Sequence, residues 1–393
     1  MKFIEEIEQE LYRILAYWET QAVDDRHGGF LGRRDQSDAI VPFMPKGSVL
    51  NSRILWTFSA AYAYTNNPLH YDLAQRAYRY IKTFFFDKEF GGIYWSVDYR
   101  GQPLDTKKQT YALSFALYGF SEYYKINNDE EVLELCVQLF NTIEQHSFDR
   151  DNSGYFEAFS RDWQEIDDLR LSEKDANEKK TMNTHLHVIE AYTNLYRIWQ
   201  NADLKSQIKN LLGDFQNHII DPDSGHLKLF MNERWESKDM IYSYGHDIEA
   251  SWLLLEAAQV IRDKELITSF EKVAINLAEA ARDGIDEYGA VMYENNLSKS
   301  HFVQEKHWWV QAEALVGFVN AWEVSQQHKY LDIAQRVWTF THSYIIDYEH
   351  GEWHWGRDAA LNIMAGEDKV GFWKCPYHNA RACMEVLQRM KKG

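Results

Sequence analysis

His246 and Glu249 stand three residues apart in "YSYGHDIEASWLLLE" (242–256), and Asn183 and His187 stand four apart in "MNTHLHVIEAY" (182–192). On a helix either spacing puts both side chains on one face. Imidazole changes charge near neutral pH, so it can be base in one half-reaction and acid in the next. His378, in "FWKCPYHNARACMEV" (372–386), adds a third ring. His185 is set aside, because it points about 160° to 200° away from its neighbours Asn183 and His187 on a wheel of roughly 100° per residue.

Other chemistries lack their parts. There is no GxGxxG after a strand and no P-loop. The two histidines of the HxH at 185–187 would point apart on a helix, and neither an HExxH nor a cysteine cluster accompanies them, so no metal is expected. An inverting glycoside hydrolase needs two carboxylates across the scissile bond. Only Glu249 stands in a suitable place. The balance favours proton transfer at carbon, with a hydrolase or a non-catalytic glycan-binding protein as the alternatives from other classes.

The elements that must position these groups repeat. An acid followed by glycine and then aromatic or apolar residues recurs in "DDRHGGFLG", "DKEFGGIYW", "DRDNSGYFE", "DPDSGHLKL", "DEYGAVMY" and "DYEHGEWHW". Gly29, Gly92, Gly154, Gly225, Gly289 and Gly351 are spaced by 63, 62, 71, 64 and 62 residues. Each motif suits a tight turn or small hairpin and is followed by helical periodicity, as in "SRILWTFSAAYAYT" and then "YDLAQRAYRYIKTFFF". A period of this kind predicts an all-α fold of six helix pairs, closed into an (α/α)6 barrel with short hairpins or loops at one end, and one domain over 1–393. The longest spacing holds a charged insertion, "DWQEIDDLRLSEKDANEKK" (162–180).

Counted from each glycine, the unusual residues share a phase: Arg53 at +24, Tyr111 at +19, His246 and Glu249 at +21 and +24, Trp308 and Trp309 at +19 and +20, and Trp373 and His378 at +22 and +27. Asn183 and His187 come later, at +29 and +33, because the insertion precedes them. All are expected at the start of the first helix of a pair, converging on one end of the barrel.

Bulk properties narrow the partners. The chain has 393 residues, a formal net charge of -18 and no basic stripe, which argues against nucleic acid and anionic membrane. Aromatic residues reach 15%, with 14 Trp and 24 Tyr, a surplus suited to stacking on sugar faces. Cys136, Cys375 and Cys383 suggest no disulfide framework, the N-terminal "MKFIEEIEQELYRILAYW" has an amphipathic pattern that predicts a helix where a signal peptide would have an uncharged apolar core, and no apolar run approaches the ~20 residues of a membrane span. A cytoplasmic, monomeric protein is expected.

"MNTHLHVIEAY", "GHDIEASWLLLEAA", "HWWVQAEAL" and "FWKCPYHNARACMEV" closely resemble segments of the cellobiose 2-epimerases, within the N-acylglucosamine 2-epimerase superfamily. The resemblance spans essentially the whole chain. It implies an (α/α)6 barrel, no cofactor, and epimerisation at C2 of the reducing-end glucose of a β-1,4-linked disaccharide. It implies further that His246 and His378 are the acid-base pair, that His187 assists near O1, that Arg53 and Asn183 stabilise enediolate oxygens, and that Glu249 orients His246. Tyr111 would contact the reacting sugar, Trp309 would stack on it, Trp373 would stack on the second sugar, and Asp175 of the insertion would hydrogen-bond the non-reducing unit; Trp308 is a further substrate-binding candidate by its phase in the repeat alone. Relatives in the superfamily that act on N-acylglucosamine, or isomerise an aldose to a ketose, supply the alternatives closest in chemistry.

Overall fold

Four of the six acid-and-glycine motifs fold as the same turn, and the reason lies in the carboxylate. One oxygen accepts the backbone N–H groups two and three residues on: Asp24 from Arg26 and His27, Asp87 from Glu89 and Phe90, Asp149 from Asp151 and Asn152, Asp347 from Glu349 and His350. The repeat glycines all have positive φ, between 62° and 84°, a region that costs glycine little. The other oxygen meets a buried lysine: Lys46 on Asp24 at 2.7 Å, Lys108 on Asp87 at 2.9 Å, Lys180 on Asp149 at 2.8 Å and Lys306 on Asp286 at 3.4 Å. Each of these four lysines lies two residues before an inner helix, so the ion pair staples a turn to a helix start. In the fourth unit that position is Tyr242, stacked 4.0 Å from the His226 ring.

The computed structural model describes residues 2–238 and 240–392; Met1, Asp239 and Gly393 of the expected 1–393 domain lie outside the described residues. Its twelve α-helices are α1 (Lys2–Gln21), α2 (Ser48–Thr65), α3 (Pro68–Phe84), α4 (Thr110–Asn127), α5 (Glu130–His146), α6 (Met182–Ile198), α7 (Ala202–Asp214), α8 (Tyr244–Val260), α9 (Lys264–Arg282), α10 (Trp308–Ser325), α11 (His328–Phe340) and α12 (Tyr377–Lys392). The even-numbered helices form a closed inner ring, each packed on the next and α12 on α2. The odd-numbered helices lie outside it, as expected for an (α/α)6 barrel.

The sixth pair departs from the expected pattern of two helices per unit. The last unit supplies only α12, and its outer partner is α1 from the other end of the chain. The apolar stripe of α1, Ile7, Leu11, Ile14, Leu15 and Trp18, must be buried against something, and the open side of α12 is what remains.

Inner and outer helices differ because their surroundings do. In α2 every residue from Ser48 to Ser59 is buried, since one side faces the barrel axis and the other an outer helix. In α3 only one stripe is, including Leu73, Ala74, Ala77 and Ile81 at helical spacing. Asparagine and aspartate start the outer helices: Asn67, Asp129, Asn201 and Asp263 each accept a backbone N–H from the first turn. Strands of two or three residues precede α2, α4, α6, α8 and α10 and pair antiparallel with neighbouring loops, so irregular structure gathers where the inner helices begin. Among the described residues, no helix is long and apolar enough to cross a membrane.

Candidate active site

Helix register explains why the singled-out residues meet. Tyr111, Asn183, Trp309 and His378 are each the second residue of α4, α6, α10 and α12, and His246 is the third of α8. Arg53, Phe115, His187, Glu249 and Glu313 are each the sixth residue of their helices, with Arg381 fifth in α12. The first set forms a rim and the second a layer one turn deeper. His187 therefore does not share the phase of the other two histidines. It is 2% exposed, below His246, which is only half-buried.

At the rim, Trp309 stands between two imidazoles, its ring 4.8 Å from that of His246 and 5.8 Å from that of His378. Gly245 makes room for it, because a Cβ there would fall 2.6 Å from the indole. His378 Nδ1 lies 2.6 Å from Glu313 Oε1, and His246 Nδ1 lies 2.7 Å from Ser243 Oγ. Both pairings occupy Nδ1, so a further partner of either ring would meet Nε2.

The deeper layer is a charge network. Arg381 donates to Glu249 at 2.9 Å and to Glu313 at 2.7 Å, and also to Glu190 and the Tyr377 hydroxyl. Glu190 in turn accepts from His187 Nδ1 at 2.9 Å and from Tyr377. Across the axis, the Arg53 guanidinium donates to the Tyr111 hydroxyl at 2.8 Å and lies 4.2 Å from the Phe115 ring centre, which is itself 4.6 Å from His187.

Burial sets the protonation states. It pushes His246 and His378 down to about 3, although Glu313 opposes the shift at both rings. It lowers His187 as well, against the pull of Glu190. Burial alone would raise Glu313, but Arg381 and His378 outweigh it and hold the carboxyl at about 2. Glu313 is thus the anion and His378 Nδ1 the donor. Burial and the Glu313 charge instead raise Glu249 well above the carboxylate range, so of this pair Glu249 keeps the proton.

These contacts correct three expectations. Glu249 does not orient His246: its carboxyl turns to Arg381 and lies 4.0 Å from His378 Nδ1, because position six faces the axis while His246 leans toward Ser243. Trp308 does not face the site. It is 2% exposed, packed 4.4 Å from Trp355 and under the Lys374 ammonium, since neighbouring residues on a helix diverge by about 100°. Trp373 lies before α12 and not on a helix, beside Trp95 and Tyr111 at 5.8 and 6.0 Å.

Asp175 is tied to its own loop, accepting from Ser172 N and Oγ at 2.9 and 3.0 Å. Burial, with a contribution from the Asp175 charge, pushes up both Tyr293 and Glu294, and Tyr293 stands edge-on to Trp309 at 6.3 Å; the insertion therefore approaches the rim. Asn183 is half-buried, and its Oδ1 has no hydrogen-bond partner. His185 bonds Tyr155 N at 2.8 Å and Thr181 O at 2.6 Å and is fully buried, as its place on the wheel requires.

Glu190, Glu313, Arg381 and Ser243 were not singled out from the sequence. Glu313 carried a signal: it lies at +24 from Gly289, as Glu249 does from Gly225 and Arg53 from Gly29. Glu190 and Arg381 each follow a site histidine by three residues. Glu249, Glu313 and His378 also bring ligand-type atoms within 4.8 Å of one another, the one such group among the described residues. Arg381 already bonds both carboxylates there and supplies the cation they need.

The fold and site define a class: a closed helical barrel whose inner helices gather imidazoles, carboxylates and aromatic rings at the end where they begin. The chain belongs to the N-acylglucosamine 2-epimerase (GlcNAc 2-epimerase) family, whose sequence profile matches residues 29–382. It is 50% identical over 384 residues to a cellobiose 2-epimerase of Bacteroides fragilis, covering 98% of each chain, and 40% identical over 388 residues to one of Ruminococcus albus, again covering 98% of each. The solved structure of a cellobiose 2-epimerase from Bacillus thermoamylovorans superposes with a TM-score of 0.93 at 39% identity over 99% of both chains.

Proposed function

We propose that this protein epimerises the reducing-end glucose of β-1,4-linked disaccharides at C2, converting cellobiose to glucosyl-mannose and lactose to epilactose. The observation that carries the reading is the placement of His246 and His378 beside one stacking indole, Trp309, each with Nδ1 engaged.

With the sugar ring opened, one imidazole removes the C2 proton through Nε2 and the electrons move toward O1, giving a cis-enediol. Rotation about C2–C3 turns the other face of C2 to the second imidazole, which returns a proton. His378 is the better supported base, because ionised Glu313 stabilises the imidazolium that forms. Ser243 is neutral and can donate into His246 Nδ1, which leaves a proton on Nε2. Arg53, whose Nε has no partner, and Asn183 are the donors for charge developing on oxygen. His187 assists at O1, and Glu249 acts through Arg381 on the His378 side. Trp309 stacks on the reducing sugar, Trp373 and Asp175 receive the second sugar, and Tyr111 positions the first.

The chemistry asks only for proton transfer, which imidazole supplies without a cofactor. A monomer suffices, since α1 and α12 close the ring within one chain; the cytoplasm is the compartment that fits its free buried cysteines. Incubation with cellobiose or lactose in D2O tests the reading. Deuterium is expected at C2 of the reducing sugar as the epimer appears, and folded protein that never exchanges C2 overturns it. Fructose or lactulose as the main product would assign an isomerase instead, and free glucose a hydrolase.

A further inference from the structure

At the end of the barrel opposite the site the inner helices finish around a cavity of about 1070 Å³. Its walls are polar and come from all six helices, through residues such as Tyr64, Glu122, Asn194, Glu256, Glu323 and Arg389. Their charges are mutually paired: Arg197 with Glu256, Lys125 with Glu122, Arg389 with Glu323 and Glu385. A cavity of this size and polarity holds water. Glu190 and Arg381 belong to its lining and also to the charge network under the site. Glu190 is the link of interest, because its Oε2 accepts from His187 Nδ1 at 2.9 Å.

We propose that this far-end cavity is a solvent port for His187, with Glu190 as the relay. The inference rests on the proposed epimerase reaction. A disaccharide lying on Trp309 and Trp373 stands between His187 and water at the mouth, while the proton on O1 must still move. As His187 Nε2 takes the O1 proton, Nδ1–H passes to Glu190 Oε2, and Glu190 then yields a proton to cavity water. The O1–H, Nδ1–H and transient Oε2–H bonds break and Nε2–H, Oε2–H and a hydronium O–H form in their place; the O1–H electrons become the C1=O1 bond, the C1–O5 bond of the ring breaks and O5 takes its proton from solvent, all of which reverses when the ring closes. Glu190 touches no substrate and is a positioning and relay residue, unlike Glu313, which does not line the cavity.

Two variants test the port. Ala60→Trp crowds the cavity from α2, at a residue lining it and remote from the rim. It is expected to lower kcat several-fold with KM unchanged and to raise the solvent deuterium isotope effect on kcat. Glu190→Ala is expected to lose about a hundredfold in kcat, the lower end of what a positioned proton-transfer group contributes. Formate should restore it, and adding Ala60→Trp should abolish that rescue. Unchanged kcat and isotope effect in Ala60→Trp overturn the port, as does formate rescue that the tryptophan leaves intact, since entry would then be at the mouth. If Glu190→Ala does not fold, the Ala60→Trp measurements decide alone. Failure of the epimerase reading is separate: the unsubstituted enzyme would show no C2 exchange.

Discussion

His378 donates from Nδ1 to Oε1 of Glu313 across 2.6 Å, and the same oxygen accepts from Arg381 at 2.7 Å. The imidazole is thus held in one tautomer by an anion that is itself held ionised by a buried cation. Glu313→Gln removes the charge and keeps the shape. It should lower kcat about tenfold to a hundredfold, the equivalent of a charge-assisted hydrogen bond of roughly 1.5–3 kcal/mol, with little change in KM. Steady-state kinetics on cellobiose measure it, and an unchanged kcat refutes the role.

Glu249 and His246 sit one turn apart without serving each other, which a double-mutant cycle detects. Glu249→Gln combined with Ser243→Ala should be additive in kcat within about 0.5 kcal/mol, whereas Glu249→Gln with Glu313→Gln should couple strongly through Arg381. Coupling in the first pair and additivity in the second would reinstate the sequence-based pairing.

Adjacent tryptophans separate stability from binding. Trp308→Ala should destabilise the fold by about 3–5 kcal/mol, because the ring fills the barrel wall. Trp309→Ala should cost far less in thermal stability and raise KM for cellobiose about twofold to tenfold, from a stacking contribution of roughly 0.5–1.5 kcal/mol. Thermal melts and KM values on the two variants report this, and a reversed ranking would put Trp308 in the site.

His185 makes a pH-dependent contribution whose sign is fixed. Burial pushes it from 6.5 to about 3 in the folded chain, so as pH falls the unfolded chain binds the proton first. Its contribution is complete above about 6.5 and is lost progressively toward 3. His185→Gln should therefore cost about 1–3 kcal/mol at pH 7.5, and that gap should shrink by about 2 kcal/mol at pH 5. Denaturant melts at the two pH values compare variant and parent; a gap that widens on acidification contradicts the assignment.

Much of this molecule is legible in one dimension. The glycines near 63-residue intervals determined the six-fold fold, because each turn needs an acid to bind its backbone N–H groups and a residue tolerant of positive φ. Helical spacing and phase also brought out His246, His378, Arg53 and Trp309, since a repeat that closes puts equal phases on one ring. Contacts between helices were beyond it. Which rotamer Glu249 takes, which of the two tryptophans faces the axis, and that α1 completes the sixth pair are decided by packing across the ring. Arg381 shows the reason most clearly: one guanidinium meets carboxylates from α6, α8 and α10, residues 68 to 191 positions away in sequence. Only a closed barrel makes them neighbours, and only their burial together fixes which carboxyl keeps its proton.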